Sequence, residues 1–207
     1  MKTLTKEMQT SISPSMALDL LKDGNKRFVN NLKINRNLLQ QANETSDGQH
    51  PFAVILSCID SRTSAELIFD QGLGDVFSVR IAGNIVNEDI LGSMEFGCKV
   101  AGAKIIVVLG HTKCGAIKGA CDNVELGNLT GLIHKIKPAV EQECSTIENR
   151  NASNAAFVEN VAALNVGLSV KNILLHSPII AEMVKNAEIG IVGGVHDIAT
   201  GEVKFFE

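Results

Sequence analysis

Two short, uninterrupted apolar runs stand out along the chain, Phe52–Ser57 and Lys104–Gly110. Runs of this length, rich in Val, Ile and Leu, predict strands buried on both faces, as in a parallel sheet. Asp75–Arg80 and Glu188–Val195 predict two further strands, and Glu202–Phe206 alternates like an edge strand after the Thr200-Gly201 turn. Between them the apolar spacing changes to three and four. A short helix is predicted over about 64–69, and Ile90, Leu91, Met94, Phe96 and Val100 predict another after a turn at Gly83-Asn84. Cys114–Cys121 follows, then Leu129–Cys144 with Pro138 as a kink, then a long helix over Asn154–Leu175. Ser13-Pro14 and Ser177-Pro178 each pair a cap with proline at the first helical position. From Ser13, Ala17, Leu20, Leu21, Phe28 and Leu32 mark an amphipathic helix or pair of helices interrupted by Gly24, and the polar stretch Asn35–His50 predicts loop. Strands alternating with helices predict an α/β fold. The expected architecture is a mostly parallel central β-sheet flanked by helices, in one domain over residues 1–207, with an N-terminal helical arm over 1–35 and a C-terminal edge strand.

Composition narrows the function. A chain of 207 residues with 45% apolar content has enough material for one core, and a net charge of −4 without a basic block points to no nucleic-acid or anionic-lipid partner. No apolar run reaches membrane-spanning length, and the opening stretch Met1–Thr10 lacks the apolar centre of a signal peptide, so a cytoplasmic location is expected. Five cysteines argue against a complete disulfide framework and for thiolates serving a metal in a reducing compartment.

The chemistry gathers after the two buried strands. Cys58, Asp60 and Arg62 follow the first, and His111 and Cys114 follow the other. Functional groups in open α/β sheets collect beyond the carboxyl ends of the strands, so these ends can deliver two thiols, an imidazole and a carboxylate to one zinc ion. Cys58 and Asp60, two apart, project to one side in extended backbone, and Arg62 continues the alternation if the chain stays extended. His111 and Cys114, three apart between Gly110 and Gly115, converge if the turn opens a helix. Asp60 as a fourth ligand closes the site and makes it structural. Arg62 holding Asp60 in a bidentate pair leaves the fourth place to water, which then loses its proton near neutral pH.

C-x-D-S-R at Cys58–Arg62, V-R-x-A-G-N at Val79–Asn84 and G-H-x-x-C-G at Gly110–Gly115 make the chain resemble the β-class carbonic anhydrases, strongly over about residues 49–119. The resemblance implies zinc ligands at Cys58, His111 and Cys114, one ion per chain, with an Asp60–Arg62 pair at the metal. It places Gln49 and Phe77 near bound substrate and a backbone N–H at Gly115. The implied reaction is reversible hydration of carbon dioxide to bicarbonate and a proton by zinc-bound hydroxide. The implied assembly is a homodimer or dimer of dimers, with the N-terminal arm packing on its partner. The proton carrier stays open, with His50, His134, His176 and His196 candidates by type alone. The chain departs from the family where a subgroup places a tryptophan and a tyrosine around a second bicarbonate site: the matching positions are Ile55 and Gly193, and that site is expected to be absent or altered. A tyrosine of the plant members is matched by Phe96. Two other readings keep the same ligands, a carbon disulfide or carbonyl sulfide hydrolase and a non-enzymatic zinc-stabilised binding module with a closed metal. Cys98, Cys121 and Cys144 are expected to be packed thiols.

Overall fold

The structure, a computed structural model, describes residues 3–206. The opening Met1-Lys2 of the expected arm and the final Glu207 lie outside the described residues. Helices α1 (Lys6–Ser11), α2 (Pro14–Val29) and α3 (Leu38–Glu44) precede strand β1 (Ala53–Ser57). Helix α4 (Ala65–Ile68), strand β2 (Val76–Arg80), α5 (Glu88–Glu95) and strand β3 (Ile105–His111) follow. Helices α6 (Gly115–Cys121), α7 (Gly127–His134), α8 (Lys137–Gln142), α9 (Ala155–His176) and α10 (Pro178–Lys185) lead to β4 (Gly190–His196) and β5 (Val203–Phe205). The sheet runs β2-β1-β3-β4-β5, parallel throughout except for the antiparallel β4–β5 edge.

The central strands are buried along their whole length, which is why they lack polar alternation. On one face Val54, Leu56, Ile106 and Val108 pack with Met94, Val166 and Ile173 from α5 and α9. On the other, Ile55, Val107 and Leu109 pack with Ala17 and Leu21 of α2 and with Ile68 and Phe69. Helix α2 therefore covers its own sheet, and it runs unbroken through Gly24. A Cβ at Gly24 would lie 1.8 Å from the Phe69 carbonyl oxygen, so glycine there serves close approach. The side chains of Met16 and Leu20 on α2 remain exposed.

Three expectations need correcting. The stretch Asn35–His50 contains α3, capped by Asn37, whose side chain accepts the Gln40 N–H. Its one buried side chain is Gln41, so the helix shows no apolar stripe. The predicted Leu129–Cys144 helix is two helices, with Pro138 in the first turn of α8, where its missing N–H costs no hydrogen bond. The helix from Glu88 passes from α into a π turn at Phe96–Val100.

Candidate metal centre

Cys58, His111 and Cys114 meet at the carboxyl ends of β1 and β3, all buried, with one ligand atom from each within 4.8 Å of the others. The two sulfurs are 4.0 Å apart. Two thiolates on one tetrahedral zinc stand about 3.8 Å apart, given Zn–S bonds near 2.3 Å. His111 Nδ1 lies 2.9 Å from the Thr112 carbonyl oxygen, which leaves Nε2 for a metal, and Nε2 is buried with no hydrogen-bond partner. A backbone carbonyl on the far nitrogen is the usual way to fix a metal-binding tautomer. The donor set, the sulfur spacing and the orphaned nitrogen fit zinc.

His111 is the last residue of β3 and not part of the turn after it. Lys113 takes a left-handed φ of 57°, and Cys114 sits at the cap of α6. The contact between the two thiols lowers the Cys58 pKa and raises that of Cys114, while burial opposes ionisation of both. The Gly83 N–H also reaches the Cys58 sulfur, at 3.4 Å.

Asp60 and Arg62 pair through a tight turn and not through the extended alternation expected. The Arg62 N–H donates to Asp60 Oδ1 at 2.9 Å, and the Thr63 N–H donates to the Asp60 carbonyl at 3.0 Å. Arg62 Nε then donates to Oδ1 at 2.9 Å and its terminal nitrogen to Oδ2 at 2.7 Å. The guanidinium holds the Asp60 carboxyl well below the usual carboxylate range. The carboxylate lies outside the three-ligand group.

A cavity of about 580 Å³ opens beside the ligands, lined by Cys58, Asp60 and Gly115 and walled by Ile59, Leu129 and Ile133. Gln49 and Phe77 are not in it. Gln49 is exposed and precedes β1, at the end of the strand opposite Cys58. Phe77 is level with Val54 on β1, three residues short of Ser57, with its ring edge-on to Phe96 at 6.2 Å. One chain therefore does not bring these two residues to its own metal centre.

Ile55 is fully buried, and a Cβ at Gly193 would lie 2.7 Å from Val166 and 2.9 Å from Phe206, so glycine at 193 serves close packing. Among the four candidate proton carriers His50, His134, His176 and His196, His196 alone is both buried and near the centre, opposite His111 in the β3–β4 ladder, with both ring nitrogens unpartnered. Cys98 and Cys121 are buried thiols, whereas Cys144 is exposed, against expectation.

Arg80 had no assigned role in the sequence. It donates to the Cys58 carbonyl at 3.1 Å and to the Asp60 carbonyl at 2.7 Å, so it braces the first ligand loop. Its only signal was its place in the V-R-x-A-G-N stretch, because a side chain that grips distant backbone leaves no local pattern.

Two thiols and one imidazole gathered beyond the carboxyl ends of parallel strands define an α/β protein with a candidate three-ligand metal centre. The family model described as carbonic anhydrase matches residues 53–203. A carbonic anhydrase of Mycolicibacterium smegmatis is 34% identical over 194 residues, 93% of each chain. Solved structures agree: a β-carbonic anhydrase of Aspergillus fumigatus superposes with a TM-score of 0.73 at 25% identity, covering 93% of this chain and 90% of that one. A tetrameric β-carbonic anhydrase of Sordaria macrospora has a TM-score of 0.70 at 27% identity, covering 78% of this chain and 83% of that one. The chain belongs to the β-class carbonic anhydrases, zinc-dependent enzymes that hydrate carbon dioxide reversibly.

Proposed function

We propose that this chain catalyses the reversible hydration of carbon dioxide with one zinc ion held by Cys58, His111 and Cys114. When bound, zinc acts as a Lewis acid that lowers the pKa of water toward neutrality. The observation that carries the reading is the engagement of Asp60 by Arg62, which turns the carboxylate from the ligand group.

The same contact gives Asp60 a task. A carboxylate offers about four acceptor sites. Arg62 fills two on Oδ1 and one on Oδ2. One site on Oδ2 is left to accept a hydroxyl hydrogen from water or bicarbonate, and it repels an oxygen that carries no proton. Asp60 thus orients the reacting species and selects its protonation state. The apolar walls at Ile59, Leu129 and Ile133 suit carbon dioxide, which has no hydrogen to donate. Gly115, first residue of α6, has an N–H without a helical acceptor and lines the same cavity, so it is suited to the anionic product.

Gln49 and Phe77 act, in this proposal, on the centre of a partner subunit, which makes the active assembly a homodimer or dimer of dimers. Exposed Phe96 and Val100, next to Phe77 and on the π turn, supply apolar surface for such contact. The thiols, free in the structure, suit the reducing cytoplasm. Among the described residues, no helix is long and apolar enough to cross a membrane.

The test is zinc content together with stopped-flow hydration of carbon dioxide. About one zinc per chain with hydration far above background is expected; full zinc loading without hydration rejects the proposal.

A further inference from the structure

The turn that carries two of the three ligands is held from outside the sheet. Lys113, between His111 and Cys114, has a φ of 57°, a region disfavoured for any residue with a Cβ. That conformation bends the chain so that the last residue of β3 and the cap of α6 face one point. Thr112, on one side of the bend, is tied to the end of β4. Its N–H donates to the His196 carbonyl at 3.0 Å, and its hydroxyl accepts the Ile198 N–H at 3.1 Å. Lys113 itself points its side chain into solvent and is held by its backbone, whose N–H donates to Glu159 Oε1 at 2.9 Å. Glu159 belongs to α9, 46 residues further along the chain.

We propose that Glu159 is a positioning residue of the metal centre. By accepting the Lys113 N–H it fixes the left-handed bend, and with the bend the separation of the His111 and Cys114 donor atoms. The inference rests on the assignment of zinc to this triad. Outer partners that orient metal ligands are worth roughly 10–100-fold in metal affinity.

Zinc affinity, measured by chelator competition, separates this role from a simple tether between α9 and the sheet. Glu159→Ala is expected to weaken zinc binding at least about tenfold, whereas Glu159→Gln, which keeps an oxygen acceptor, stays near wild type. In a Lys113→Gly background the alanine effect shrinks below about threefold, because glycine adopts the bend without strain. Equal affinity in wild type and Glu159→Ala overturns the inference and leaves the zinc assignment standing. A lowered melting temperature of the zinc-free variant with unchanged zinc affinity also overturns it. Equal losses in Glu159→Ala and Glu159→Gln overturn the hydrogen-bond role. A wild-type chain that takes up no zinc overturns both the inference and the assignment beneath it.

Discussion

Arg62 reaches both carboxylate oxygens of Asp60, at 2.9 and 2.7 Å, from only two residues away. Under the proposed function, the contact keeps a negatively charged side chain beside the metal centre without letting it become a ligand. Arg62→Ala removes the restraint, and Asp60 is then expected to enter the coordination shell. Zinc content should stay at the wild-type level while hydration falls roughly 10–100-fold, the range for outer-shell partners. X-ray absorption at the zinc edge checks it: an unchanged shell would show that Arg62 does not control Asp60.

Zinc should stabilise the folded chain by mass action. At zinc one hundred times above its dissociation constant the gain is about 2.7 kcal/mol, read as a rise in melting temperature. Cys58→Ala removes one ligand and should abolish that rise. A melting temperature indifferent to zinc in the wild type would show that the triad binds no metal.

The place of Gln49 and Phe77 predicts sharing between subunits. Cys58→Ala and Gln49→Ala chains are each expected to be weakly active alone. If Gln49 serves the partner's centre, the mixed dimer has one intact site, formed by the Gln49→Ala triad and the Gln49 of the Cys58→Ala chain. Purified mixed dimers should therefore recover activity. No recovery would place Gln49 in its own chain's site or in none.

Asp70, in the turn after α4, is tied to α2 and to the segment that follows α2. Arg27 and Arg36 both pair with its carboxylate, and Arg36 is nearly buried. Burial alone would raise the Asp70 carboxyl, but the two arginines hold it below its ordinary value. The sign follows: a carboxyl lowered by folding stabilises above its unfolded pKa, about 4, and that contribution is lost as pH falls further. Asp70→Asn leaves buried Arg36 without its charge partner and should cost about 3–5 kcal/mol at neutral pH. Urea denaturation at pH 7 and pH 3 checks it, and the gap between wild type and variant should narrow at the lower pH.

Gly24→Ala should be destabilising although alanine is the better helix former. The added methyl meets the Phe69 carbonyl oxygen, a backbone atom that cannot swing aside. A loss of about 3 kcal/mol is expected, at the upper end for overpacking. A neutral or stabilising effect by urea denaturation would mean that α2 does not approach α4 so closely.

The sequence by itself determined the strands, their burial in a mostly parallel sheet and the gathering of Cys58, His111 and Cys114 at two strand ends. Those signals are local: an unbroken apolar run needs no partner to be recognised, and Cys58, Asp60, Arg62, His111 and Cys114 fall within a few residues of two strand ends. Helix α3 was hidden because Gln41, buried where it accepts the Leu73 N–H, looks like a loop residue in a polar stretch. Only the tertiary structure decided what braces the centre and what reaches it. Arg80 and Glu159 act on backbone groups 20 and 46 residues away, and backbone groups are the same in every sequence. Strand direction alone separates Gln49 and Phe77 from the ligands of their own chain, because Gln49 lies before β1 begins and Cys58 lies after it ends.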